Sequence, residues 1–288
     1  MSKKISVRQA FPLLGSSLSC LFTNPKIFYP FAILAFLQLL LMLILFFSIR
    51  FPLSMFFGPI IARLRGAVYL HYPMNFDLMN HWFQSAQAVI FLFATSFFIA
   101  KAVLIVAKIN QGEPLGETMP KLGLKKYVNL IAAFLLIFLI MYGMTSLYSI
   151  LMQRAARIVS TSGVYYFIKQ VVLSGAPYFN LFFSVIFTAL FAYVVPLIVL
   201  EGKNVIAAVI KNFKLLLSGF WPLFVIIAVT SLFYLPVLLI RSNYQWFSTF
   251  IDPEGWQMFV ILGVFVMLFI DAVQYTAVTL CYFLTKDE

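Results

Sequence analysis

An aspartate stands in the apolar run Val266-Met267-Leu268-Phe269-Ile270-Asp271-Ala272, where an ionised side chain is expensive. Gln274 follows three residues later on the same side of a helix, so the two can form one polar spot. Such a spot suits a proton or cation relay, or coordination of a substrate headgroup. The plainer reading is a protonated or paired Asp271 that locks helix packing. Lys101 lies seven residues before Lys108, or ~10 Å along a helix, so its ammonium can snorkel to the headgroups or pair with Asp271. Gln38, in the first long apolar run, is a further inward-facing candidate.

Other clusters carry other chemistry. Arg63 with Arg65 and Arg154 with Arg157 are spaced to hold lipid phosphates, or to anchor a loop at headgroup level. Lys211 and Lys214 are headgroup candidates on the opposite rim. Glu201-Gly202-Lys203 reads as a helix-end turn or as half of an ion pair with a nearby Lys. His71, Asp77 and His81 are zinc-ligand types, but their spacing matches no metal motif and Pro73 interrupts any helical register. No metal is expected there, and Trp82 suggests an interfacial loop instead. Nucleophile elbows, paired helical histidines with a glutamate, phosphate-cradling glycine loops and paired intramembrane carboxylates are all missing from the sequence. Neither an enzyme nor a cofactor is expected.

The elements that must position these residues follow from composition. Of 288 residues, 63% are hydrophobic and 10% charged, too little polarity to cover a soluble domain of this size. Apolar runs at 27–49, 84–107, 128–151, 178–200, 220–240 and 257–284 are each long enough to cross a bilayer core of roughly 30 Å. They must be helices, because unpaired backbone cannot face lipid. The whole of 1–288 therefore reads as a single integral membrane domain. Met1-Ser2-Lys3-Lys4 resembles the start of a signal peptide, but no small-residue cleavage site follows the first apolar run, so the segment is expected to be retained.

With the N-terminus inside, thirteen Lys and Arg fall on the cytoplasmic side or just within the membrane there, and seven on the other. Both termini are thus expected in the cytoplasm, in a bacterial inner membrane. There Cys20 and Cys281 would stay reduced. The net charge of +11 is strung along the span boundaries, which points to anionic headgroups and away from nucleic acid.

Basic segments at 5–22, 115–126 and 204–218 precede the odd-numbered spans. In the first, Val7, Phe11, Leu14 and Leu18 oppose Arg8 and Ser19; in the third, Val205, Val209, Phe213 and Leu216 oppose Lys211, Lys214 and Ser218. The expected fold is an all-α membrane protein with six transmembrane helices. They form three repeats of amphipathic surface helix plus hairpin, with apolar interfacial helices in the outer loops at 51–68 and 150–173. Pro196, Pro222 and Pro236 lie near span ends, so unbroken spans are expected.

The stretch Pro196-Leu197-Ile198-Val199-Leu200-Glu201-Gly202, the amphipathic segment from Val205 to Ser218 and Phe220-Trp221-Pro222 resemble a recurring pattern. It occurs in bacterial YciC-like proteins and in the membrane domain attached to some glycerophosphodiester phosphodiesterases. The resemblance is concentrated in residues 190–240 and implies a six-helix integral membrane protein. No phosphodiesterase domain lies within this chain, so that activity is not carried over. The expected role is non-enzymatic: a scaffold or membrane subunit of an envelope complex that handles lipid, with a protein partner or a second copy. The alternative is a permease or channel for a hydrophobic or amphiphilic substrate.

Overall fold

A computed structural model describes residues 7–72, 74–114, 120–159, 162–243 and 251–286, and contains no strand among them. The helices are α1 (Ala10–Thr23), α2 (Phe28–Ser48), α3 (Ser54–Leu64), α4 (Met74–Val89), α5 (Ser96–Asn110) and α6 (Leu124–Ala156). They continue with α7 (Gly163–Ser174), α8 (Ala176–Leu190), α9 (Val194–Glu201), α10 (Val205–Leu232), α11 (Leu235–Ser242) and α12 (Pro253–Lys286). Five stretches are long and apolar enough to cross a membrane: Pro25–Ser48, Met74–Asn110, Leu124–Ala156, Ala176–Glu201 and Gln257–Thr285. A sixth is formed by Val205–Leu217 and Gly219–Leu232 only if that bent pair is one span.

Several spans are broken, contrary to expectation, and most breaks lie just upstream of a proline. α10 bends by 96° between Leu217 and Gly219, ahead of Pro222. α8 and α9 are separated by a turn at 191–193, ahead of Pro196. The expected fifth span, 220–240, is divided at Phe233-Tyr234, ahead of Pro236. Proline supplies no N–H and crowds the preceding turn, so each freed carbonyl needs another donor. A π-turn, Ile90–Thr95, joins α4 to α5 without a proline.

The threefold repeat is also only partly present. α1 and the first limb of α10 are run-in helices, but 120–123 is not helical and the helix begins at Leu124; 115–119 lies outside the described residues. The two run-in helices bury matching positions: Ala10, Leu13, Ser17 and Leu21 in one, Ala208, Asn212 and Leu216 with half-buried Val205 in the other. Each stripe follows the same 3-4-4 spacing and holds one polar residue. The buried face of α1 is therefore rotated from the expected one, and Val7 and Phe11 point outward at 46% and 64% exposure. Phe213 likewise turns outward, with Ile206 and Leu217. These helices thus carry a second apolar face, which the rest of the bundle leaves exposed. The outer loops form α3 and α7, as the apolar loop composition suggests.

Packing differs sharply between the two ends. At the end that holds α1 and the last turns of α12, one continuous core joins α1, the start of α2, α5, the start of α6, α8, α9, α10 and the last half of α12. Alanines at 100, 102, 133, 189, 192, 208, 272 and 277 are buried there and let backbones approach, which favours helix association where lipid offers no hydrophobic drive. At the opposite end, among the described residues, α2, α4 and α12 share a smaller core built on Met42, Leu45, Phe76, Met79, Phe83, Val260 and Val264. Beyond Phe134 the only buried residue of α6 is Ala155, and α8 buries only Val185 and Ala189. The bundle is sealed at one end and splayed at the other.

Candidate functional site

The sealed end is held by polar bonds between elements far apart in sequence. Gly202 closes α9 with φ +68°, a conformation that favours glycine, and Gly202 N donates to Ile198 O at 3.1 Å. Glu201, on the last turn of α9, accepts from both sides: Lys211 Nζ lies 2.8 and 2.7 Å from its two oxygens, and the Tyr282 hydroxyl donates at 2.6 Å. Lys126, from the start of α6, donates to Val199 O at 2.6 Å and so caps the carbonyl end of the same helix. Under this layer Tyr193, Leu197 and Tyr282 are fully buried, and the Tyr193 hydroxyl lies 3.2 Å from Cys281 Sγ.

Asn212 repairs the break between α8 and α9. Its Nδ2 donates to Leu190 O at 2.7 Å and its Oδ1 accepts from Tyr193 N at 3.0 Å, with the side chain wholly buried. A single amide thus satisfies an orphan acceptor and an orphan donor, which is what a helix interrupted inside apolar surroundings requires. The reading of 204–218 by its cations passed over Asn212. The available signal was its place in the apolar stripe of 205, 208, 212 and 216.

At the splayed end a cleft of about 350 Å³ lies between α4, α6 and α8. Phe91, Phe138, Phe187, Ile137 and Met141 form its apolar wall, and Gln84, Gln87, Ser184 and Thr188 project polar groups into it. None of those four side chains makes a hydrogen bond among the described residues. From Gln84 to Phe91 is seven residues, so the cleft runs ~10 Å along the helices. Two features shape it. The π-turn sets Phe91 against Phe134 at 5.1 Å between centroids and frees the Phe93 carbonyl, which accepts from the Tyr127 hydroxyl at 3.0 Å. Higher up, Tyr148 stacks on Phe179 at 3.8 Å and donates to Val172 O at 2.6 Å, tying α6 to α8 and α7. The opening is therefore left between α4 and the α6–α8 pair. None of the lining residues was singled out from sequence, because two glutamines on α4 and two hydroxyls on α8 have no common linear pattern.

The residues expected to act together are separated. Asp271, equidistant from Gln257 and Thr285, is partly exposed and makes no hydrogen bond or ion pair among the described residues. Gln274 turns away from it toward α10 and donates to Thr230 Oγ1 at 2.9 Å, Ser231 Oγ at 3.1 Å and Ile227 O at 3.3 Å. Lys101 is buried but bonds to the Pro120 carbonyl and lies 5.1 Å from the Phe97 ring centroid; it does not pair with Asp271. Gln38 is half-buried and unpaired among the described residues. Lys211, expected to meet headgroups, is committed to Glu201, whereas Lys214, Arg63, Arg65, Arg154 and Arg157 are exposed. His81 is exposed on α4, and His71 ends a 3₁₀ turn; the side chain of Asp77 lies outside the described residues. Among the described residues no three His, Cys, Asp or Glu side chains are grouped to hold a metal.

No family model matches the chain, and no curated protein or solved structure matches it either.

Proposed function

We propose that this chain is a non-enzymatic, lipid-handling protein of the bacterial inner membrane, with its sealed end and both termini in the cytoplasm. An amphiphile enters the cleft between α4, α6 and α8 sideways from the outer leaflet. The observation that carries this reading is the contrast between a continuous core at one end and an open, partly polar cleft at the other. The cleft volume falls in the range of small-molecule sites. Exposed Arg63, Arg65, Arg154 and Arg157 lie on the segments that frame the splayed end, where they suit anionic headgroups of the surrounding bilayer. Permeation through the middle is the weaker alternative, since the Glu201, Tyr193 and Tyr282 layer closes the path and Asp271, Lys101 and Gln274 do not converge on one. The resemblance of 190–240 to YciC-like proteins fits a role without catalysis.

Photocrosslinking tests the proposal. The purified chain in nanodiscs containing a trace of phospholipid with a photoactivatable acyl chain is irradiated and its adducts are mapped. Adducts concentrate on Ile137, Phe138, Met141, Ser184, Phe187 and Thr188, and Ala88→Trp, which fills the cleft, reduces them about tenfold, or ~1.4 kcal/mol. Adducts spread equally over lipid-facing Leu139 and Phe182, and indifferent to Ala88→Trp, refute it.

A further inference from the structure

The chemistry of the cleft lining narrows its ligand. No charged residue lines it: its polar groups are two amides and two hydroxyls, Gln84, Gln87, Ser184 and Thr188, each able to donate and to accept. All four are unpaired among the described residues. An acyl chain alone leaves them unsatisfied, at a cost that water-poor surroundings raise. An anionic headgroup is served no better. It would enter the cleft without a counter-charge, which is unfavourable at this depth. The nearest cations on α6 stand away from it on both sides: Lys126, bonded to Val199 O, lies eleven residues before Ile137 and Arg154 thirteen beyond Met141, or ~17 and ~20 Å along the helix axis.

We infer that the cleft selects a neutral amphiphile. The hydrocarbon lies against Phe91, Phe138 and Phe187, and a hydroxyl or carbonyl group pairs with Gln84, Gln87, Ser184 and Thr188. This inference rests on the lateral-binding reading above and adds the headgroup class to it. Position along the helices supports the division of labour. Gln84 and Gln87 precede Phe91 on the same helix and lie nearer the splayed end, so a chain-first ligand reaches the aromatic wall as its polar end meets the amides.

Dioleoylglycerol and dioleoylphosphatidic acid differ only by the phosphate and serve as the two probes. The full chain in nanodiscs is titrated with each, and retained lipid is counted by native mass spectrometry. Saturable dioleoylglycerol binding, about tenfold tighter than phosphatidic acid, is the expected result. Gln87→Leu combined with Thr188→Val weakens dioleoylglycerol about tenfold through the loss of hydrogen bonds, while the substituted residues are at ease in an apolar bundle. If phosphatidic acid binds as well or better, or if the double variant binds dioleoylglycerol undiminished, headgroup selection is overturned. Lateral binding then stands as long as Ala88→Trp still abolishes retention. Retention of neither lipid overturns both readings.

Discussion

Asn212→Leu tests how the broken fourth span is held together. Asn212 is wholly buried and bridges the break, donating to Leu190 O at 2.7 Å and accepting from Tyr193 N at 3.0 Å. Leucine keeps the γ-branched shape and is somewhat larger, so the substitution opens no cavity. It strands two backbone groups in an apolar interior, and each unsatisfied group costs about 1–3 kcal/mol, giving a loss of roughly 2–6 kcal/mol. Asn204→Ala is the internal comparison. Asn204 caps the same helix by accepting from Ala207 N at 2.9 Å, but it is exposed, so its loss costs about 1 kcal/mol. Both variants are unfolded reversibly in mixed micelles by increasing the fraction of denaturing detergent, with tryptophan fluorescence as the signal. If Asn212→Leu costs no more than Asn204→Ala, the amide does not hold the break and the argument from orphan backbone groups fails.

Three other substitutions or modifications read the remaining contacts. Glu201→Gln leaves Lys211 without its carboxylate and is expected to cost about 1–2 kcal/mol in the same assay, below the range for a fully buried pair because the Lys211 side chain is 39% exposed. The loss should shrink in high salt, and a salt-independent loss would show that packing, not charge, is at stake. Gln274→Leu removes three contacts to α10 and should destabilise by about 1–2 kcal/mol, whereas Asp271→Asn, at a residue with no hydrogen bond or ion pair among the described residues, should stay within about 0.5 kcal/mol of the parent. The opposite order of the two would sink the assignment of Gln274 as the interhelical contact. Burial pushes the Cys20 thiol above its ordinary value, so the reactive thiolate forms only at higher pH. Maleimide labelling of Cys20 should be slow at neutral pH compared with a free thiol and should accelerate as pH rises; labelling as fast as the free thiol at pH 7 would contradict this.

Much of the architecture was readable from composition and run length. Each predicted apolar run is mainly helix, interrupted by turns at 191–193 and 233–234 in the fourth and fifth, because a bilayer-length apolar stretch favours that backbone solution. The apolar loops at 51–68 and 150–173 likewise became α3 and α7. What periodicity misjudged was which side faces what. Phe11 and Phe213 lie on apolar stripes, but so do Leu13 and Ala208, and each helix thus offers two apolar stripes. Only the neighbouring helices decide which is buried. The prolines at 196, 222 and 236 lie near the ends of the apolar runs and so were read as terminating them. In the structure they follow interruptions: Asn212 bridges the break ahead of Pro196, and backbone bonds at 233–234 carry the chain through the turn ahead of Pro236.

The candidate site divides along the same line. Asp271 was visible because it is a lone charge in an apolar run, and Glu201 because it ends one. Their partners lie elsewhere in the chain: Tyr282 is 81 residues from Glu201, and Thr230 is 44 residues from Gln274. No linear spacing encodes such pairings. The cleft is more distant still from sequence, since its four polar side chains are shared by α4 and α8 and its walls come from three helices. By itself the sequence determined that this protein is helical, lies in a membrane and carries few charges within it, because transfer energies are properties of single residues and short runs. Tertiary structure alone decided which end is packed shut, which end is splayed, and which uncharged groups meet in the opening. Those outcomes depend on how the helices pack against one another, a property that no single segment possesses.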